Sequence, residues 1–296
     1  SRTGQLQRRP KQPHAGKEKG VHKARTELRR VRVELDTMAH TAFDARATES
    51  VSERLHDVER ALAKTRDADV LLEDLRAYAK GAGAKDAHAL ADVMERLERR
   101  RDKSAKRARK ALDRRTRAAL SRALRDVVKS KHVVLRPPKN PARAAPELVR
   151  HFTHQEAWRR YDALRAYDAR LPADVATLHK LRSACRELRF TLEAFAPALP
   201  ALASVAVALH HLQTEMGELH DHQVAIDLLA GWRRKGKIRE SQALDRYLAW
   251  RADARDELRS RSEPRWLGVL GESFRSTLSR ALEPHAEVAE PKLAAA

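Results

Sequence analysis

The feature that most constrains this chain is a helical ladder of cations that occurs twice. It stands first at Val21-His22-Lys23-Ala24-Arg25-Thr26-Glu27-Leu28-Arg29-Arg30-Val31-Arg32. It returns at Leu178-His179-Lys180-Leu181-Arg182-Ser183-Ala184-Cys185-Arg186-Glu187-Leu188-Arg189, 157 residues on. A His, a Lys and three Arg keep the same relative positions in both. At about 100° per residue, His22, Arg25, Arg29 and Arg32 fall within about 80° of arc, with Ala24, Leu28, Val31 and Leu35 as a separate apolar stripe beside them. The second copy turns Leu181, Cys185, Leu188 and Leu192 inward and sets His179, Arg182, Arg186 and Arg189 alongside. A helix that needs only solubility scatters its charges. This one lines cations up with no acid among the four, twice.

The charge distribution sharpens that reading. The net charge of +20 is confined to two segments. Residues 1–32 hold 11 Lys/Arg against 2 acids and residues 96–131 hold 16 against 4, so the rest of the chain is close to neutral. Such localisation points to a polyanion-binding surface rather than to general solubility. Leu, Ala and Arg dominate while Gly, Pro and aromatics are sparse, which predicts an all-α fold. No apolar run reaches membrane-spanning length, and the N-terminal residues lack the apolar core of a signal peptide, so no membrane partner is expected. The single cysteine, Cys185, excludes an internal disulfide and fits a reducing compartment. On an apolar stripe it reads as an inert core thiol.

Taken in order, residues 1–16 read as a basic arm without periodicity. Helices are predicted over about Lys17–Phe43, from Thr48 past Leu75 to the Gly81-Ala82-Gly83 break, over Asp86–Asp113, and over Arg114–Lys131. In the third, Leu90, Met94, Leu97, Ala105, Ala108 and Leu112 share one face, and Arg99, Lys103, Lys106, Arg107 and Lys110 share the other. Prolines mark residues 136–145 as a linker. Helices follow over Pro146–Leu171, Ala173–Phe195, residues 201–231, Ile238–Arg259 and Glu263–Leu282, before a tail at 284–296. Phe152, Trp158, Tyr161, Leu164 and Tyr167 are the expected core of the first of these.

A second correspondence follows the first. Arg66-Asp67-x-x-Val70 aligns with His220-Asp221-x-x-Val224 at an offset of 154, close to the 157 of the ladders. The chain therefore reads as a tandem duplication: residues 17–135 and 146–283, each a bundle of about four antiparallel helices. Two such pseudo-symmetric bundles are expected to pack around a central basic groove.

The duplicated His-x-x-Arg-x-x-x-Arg-x-x-Arg helix, each copy followed by an Arg-Asp or His-Asp motif, resembles the CHAD domain (conserved histidine α-helical domain). The resemblance runs from about Lys17 to Leu282. It implies an all-helical fold of two pseudo-symmetric bundles around a basic channel, binding of inorganic polyphosphate, and association with polyphosphate granules in the cytoplasm. Some members are fused to a triphosphate-tunnel domain. No Glu-x-Glu-x-Lys opening is present here, so the resemblance is to a stand-alone member. The second half departs from the first at His220, where the first has Arg66, and at Glu187, where it has Arg30. The first half is therefore expected to bind more strongly.

On this reading the polyphosphate-binding residues are His22, Arg25, Arg29 and Arg32 with His179, Arg182, Arg186 and Arg189. Arg forks match phosphate oxygens bidentately, and Lys adds point charge. Lys17, Lys19, Lys23, Arg30, Arg99, Lys103, Lys106, Arg107, Lys110 and Lys180 flank them. Arg66, Asp67 and Asp221 support, the two aspartates as partners that orient a neighbouring Arg or cap a packed helix. Neither a catalytic residue, a metal nor a cofactor is expected. Two other classes stay open. Non-specific nucleic-acid binding by charge alone is the first, although no reading motif or stacking platform is visible. A metal phosphohydrolase built on His220-Asp221 with His210 and His211 is the second. Against it, the repeat puts His220 in the slot of Arg66, and Arg cannot ligate a metal. The oligomeric state is left open.

Overall fold

The computed structural model describes residues 16–38, 45–129, 141–167 and 175–283. Among them stand ten helices and no strand, an all-α fold. They are α1 (Gly16–Met38), α2 (Ala45–Ala82), α3 (Ala84–Ala89), α4 (Ala91–Ala111), α5 (Arg114–Lys129), α6 (Pro141–Arg165), α7 (Val175–Phe195), α8 (Leu202–Arg234), α9 (Gln242–Leu270) and α10 (Glu272–Leu282). The expected arm as far as residue 15, residues 39–44, residues 130–140 of the linker region and the tail at 284–296 lie outside the described residues. No described helix is long and apolar enough to cross a membrane.

Several helix boundaries differ from expectation, three of them for a visible physical reason. The predicted third helix is two, α3 and α4, which part at Leu90. That side chain is fully buried, and its own N–H closes the preceding turn on Asp86 and His88. The expected linker ends early, because α6 starts at Pro141; proline suits the first helical position, where its missing N–H has no partner to lose. In the other direction, α9 runs through Pro264 and stops only at Gly271. Ser262 and Trp266 are buried on either side of that proline, so packing carries the helix across one lost backbone bond. The break after α2 falls where expected. Gly83, at φ 93°, takes a conformation that other residues adopt only under strain.

The described residues gather into two compact units. One draws on Ser1–Arg136 and Glu215–Arg261, the other on Pro137–Thr214 and Ser262–Ala296. These units do not coincide with the halves, 17–135 and 146–283, that the sequence pattern suggests. Residues 215–234 of α8 and 242–261 of α9 belong with the first unit, while the rest of each helix belongs with the second.

In the first unit α2 is the central helix, with α1, α3, α4 and α5 packed on it. Leu35, Val51, Leu55 and Val127 form one core cluster, and Val58, Leu62 and Ala108 the next. Towards its far end α2 meets α4, α8 and α9 through Leu72, Leu75, Leu97, Leu229, Leu244 and Tyr247. In the second unit α6 packs on α7 and α10. There the Tyr161 hydroxyl, fully enclosed, lies 3.2 Å from the carbonyl of Val269 and 3.3 Å from that of Gly271. Leu164 shares that core, while Phe152, Trp158 and Tyr167 are only partly buried.

The most demanding group in the first unit is Arg251 of α9, 2% exposed. It donates to Asp74 Oδ2 at 2.8 Å, to Tyr247 Oη at 2.9 Å and to His222 Nδ1 at 3.2 Å. Its guanidinium also lies over the rings of Tyr247 and Trp250. A cation taken so far out of water is tolerable only while that set is complete. Asp74→Ala is therefore expected to cost about 3 kcal/mol in urea unfolding, because it strands a buried charge. Arg251→Met, which removes the charge and keeps the volume, is expected to cost clearly less. Equal costs for the two would show that the pair carries no such demand.

Candidate anion-binding site

Packing places the first ladder. On α1 the partly buried Leu28 and Val31 and the buried Leu35 line one flank, but Val33 and Thr37, both buried, line the other. The arginines between these flanks are drawn into the seam with α2 rather than left on a free face. Glu59 of α2, only 5% exposed, faces them. Arg29 Nε is bonded to Glu59 Oε1, and Arg32 Nε approaches Glu59 Oε2 at 3.3 Å. Arg32 also reaches Asp36 Oδ2 at 3.1 Å, and Ser52 holds the other oxygen of that carboxylate at 2.7 Å. One turn earlier in the ladder, Arg25 Nη1 lies 3.8 Å from Asp67 Oδ1. Arg25 Nε is buried there without a hydrogen-bond partner. Arg30 pairs with Glu27 at 3.8 Å, and Lys23 is exposed. Lys17, Lys19 and His22 stand on α1, but their side chains lie outside the described residues.

The second ladder, on α7, is graded along its length. His179 and Lys180 are exposed, Arg182 is half-buried, and Arg186 and Arg189 are 8% and 7% exposed. Arg186 donates to Ser183 Oγ at 3.3 Å. Arg189 donates to His210 Nδ1 at 2.6 Å and pairs with Glu193 at 3.5 Å. That last pair repeats the Arg32–Asp36 pair: in each ladder the final arginine is held by the carboxylate four residues on. Glu187, the departure from Arg30, accepts from Arg160 of α6 at 2.7 Å. Cys185 is fully buried, its Sγ 3.7 Å from the Leu209 carbonyl, and burial pushes its thiol up to about 12. It stays protonated and inert.

The flanking and supporting residues separate into two sorts. Arg99 is paired with Glu95 one turn away on α4. Lys103, Lys106, Arg107 and Lys110 are exposed on the same helix, and none of them has an ion pair among the described residues. Asp67 faces Arg25, Arg66 beside it is half-buried, and Asp221 is half-buried on α8. Among the described residues no three His, Cys, Asp or Glu side chains converge as a metal site would need.

Two residues of these clusters escaped the sequence reading. Glu59 sits between Val58 and Leu62 on the apolar stripe of α2, and an acid at a core position was the available signal. His210 is the other. The sequence offers it as a metal ligand, yet it accepts from a guanidinium, which has only donors to offer, so its Nε2 carries the proton. Burial, then the Arg189 guanidinium and His211, hold its imidazole below the ordinary histidine value.

The family model of the CHAD domain matches residues 1–230 of the chain. No curated protein matches it.

Two outcomes follow from this geometry. Glu59→Gln should cost on the order of 2 kcal/mol in unfolding, since it leaves two half-buried guanidiniums without their carboxylate; an unchanged midpoint would show the pair to be decorative. The pKa of His210 is lower in the folded chain than its ordinary 6.5, so the unfolded chain binds more protons and stability falls as pH drops through that value. His210→Gln should flatten the pH dependence of the unfolding free energy just below 6.5, and an unaltered slope there would contradict the assignment.

Proposed function

The chain belongs to the CHAD domain family, and from that premise we propose that it is a non-enzymatic binder of inorganic polyphosphate, associated with polyphosphate granules in the cytoplasm. Its binding elements on this reading are the two ladders, Arg25, Arg29 and Arg32 with His22 on α1, and Arg182, Arg186 and Arg189 with His179 on α7. The duplication behind them is a pseudo-symmetric pair of bundles. Asp67 and Asp221 take the matching supporting positions.

The observation that carries the reading is the recurrence itself. Two helices present the same His/Arg spacing, and in each the last arginine of the ladder pairs with a carboxylate four residues on, Asp36 or Glu193. A single basic helix would pass for a solvated face; a pair held to the same local geometry does not. Polyphosphate has no bases to read, so stiff guanidinium donors and surplus positive charge are sufficient to hold it. Half-buried arginines suit that task because their field is less damped than that of exposed ones. Their partners also pre-set the side-chain rotamers, so less entropy is lost on binding.

Nucleic acid offers the same backbone charge, and titration against both polymers separates the two. Long-chain polyphosphate and duplex DNA of matched charge should both bind more weakly as salt rises. At about 0.15 M salt polyphosphate should bind more tightly and survive DNA competition. Ready displacement by DNA would defeat the reading. Arg25→Ala/Arg182→Ala should lose about tenfold or more in polyphosphate affinity, the scale of two charge-assisted contacts, with helicity unchanged. Undiminished affinity would move the site elsewhere.

A further inference from the structure

The cations of α4 pose a question that the ladders leave unanswered. Residues 96–131 carry more surplus charge than residues 1–32, and acids meet it at only some positions. Arg101 is clamped by Asp69 of α2 at 2.5 Å, and Arg76 of α2 pairs with Glu98. Next to these, a cleft of about 320 Å³ opens between α2 and α4. Asp57, Arg60, Ala61 and Lys64 line it from α2, and Ser104 and Arg107 from α4.

This cleft is not the seam that holds the first ladder. Counting about 100° per residue, its α2 residues lie roughly 100–160° around the helix from Glu59. Its charges also stand differently. Among the described residues Lys64 and Arg107 have no carboxylate partner, whereas Arg25, Arg29 and Arg32 all have one. Asp57 is the one acid in the lining, and it is already paired with Arg60 at 3.0 Å, one turn away on the same helix. Three cations against one acid leave the lining positive. Ser104, nearly buried at the wall, adds a hydroxyl that can donate to an oxyanion. No aromatic side chain is present for a base to stack on. The volume lies at the small end for ligand clefts, about 300–1,000 Å³.

We propose that the cleft between α2 and α4 is a second anion site, which takes a short run of linked phosphate groups on Lys64, Arg107 and Arg60, with Ser104 at its wall. The site rests on the polyphosphate reading for its ligand class and on separate residues for its place. A chain end or a short oligomer fits such a cleft better than the middle of a long polymer, because only one small concavity has to be filled.

The probe is tripolyphosphate, titrated calorimetrically into the full chain at about 0.15 M salt. Lys64→Glu/Arg107→Glu should weaken its binding by about tenfold or more, as two attractions become repulsions. A control with the same change of net charge at exposed positions of the same unit, Lys80→Glu/Arg122→Glu, should weaken it much less. Both changes lie on the surface, and circular dichroism with the thermal midpoint checks that the fold is kept. The Lys64→Ala/Arg107→Ala pair should show a smaller loss in the same direction. Wild-type affinity in the charge-reversed pair, or an equal loss in the control, overturns the cleft. So does a loss confined to a duplex oligonucleotide, which would assign the surface to nucleic acid. If the wild type binds tripolyphosphate through the cleft yet ignores long chains, the polyphosphate-polymer reading fails and the cleft stands.

Discussion

A carboxylate almost removed from water needs partners that replace its hydration, and Glu59 has two, Arg29 and Arg32. The rest of the first unit repeats that demand along the same helix. Ten residues further on, buried Asp69 takes Arg101 of α4; five residues beyond, Asp74 takes Arg251 of α9. Three acids of α2 thus each require an arginine from a different helix. The apolar clusters supply most of the driving force for docking, but they are tolerant of sliding. The ion pairs are not. A helix displaced by one turn would leave a charge buried without its partner, which fixes which helix lies where along α2 and in what register.

That arrangement has a consequence for charge. The inner acids of α2 are committed to arginines that hold the fold, so those arginines are rigid and partly neutralised. Part of the surplus that makes the chain so basic stands on the exposed side of α4, where Lys103, Lys106, Arg107 and Lys110 meet no acid among the described residues. Fold and charge surplus are therefore carried by different cations, although both sorts read alike as Arg and Lys in a sequence.

This is also where the legibility of the sequence ended. Helices long and periodic enough to show an apolar stripe were visible, and so was the repeat, because both are patterns of spacing along the chain. Cys185 was readable as a core thiol for the same reason. What spacing cannot show is a partner on another helix. The ladder on α1 looked free of acids because its acid, Glu59, lies 27 residues from Arg32. Spacing along α9 does not set Arg251 apart from the other charges of that helix, and its partner Asp74 lies 177 positions away. The break expected before Pro264 failed differently: a local rule about proline was outweighed by tertiary packing at Ser262 and Trp266.

The two sorts of cation also differ in what they can give a polyanion. Exposed lysines and arginines act over about a Debye length, roughly 8 Å at physiological salt, so they raise the local concentration of a flexible anion and its rate of arrival. Once the anion is in place they add little, since water and counter-ions screen them. Half-buried arginines such as Arg25 and Arg29 have part of their long-range field cancelled by the carboxylates beside them, but their guanidiniums are already oriented and less screened at contact, so each contact holds more firmly. If the proposed function holds, added salt should therefore slow capture by the α4 face more than it hastens release from the ladders. A chain that carried only one sort would either gather polyanions without retaining them or retain only those that arrived by chance.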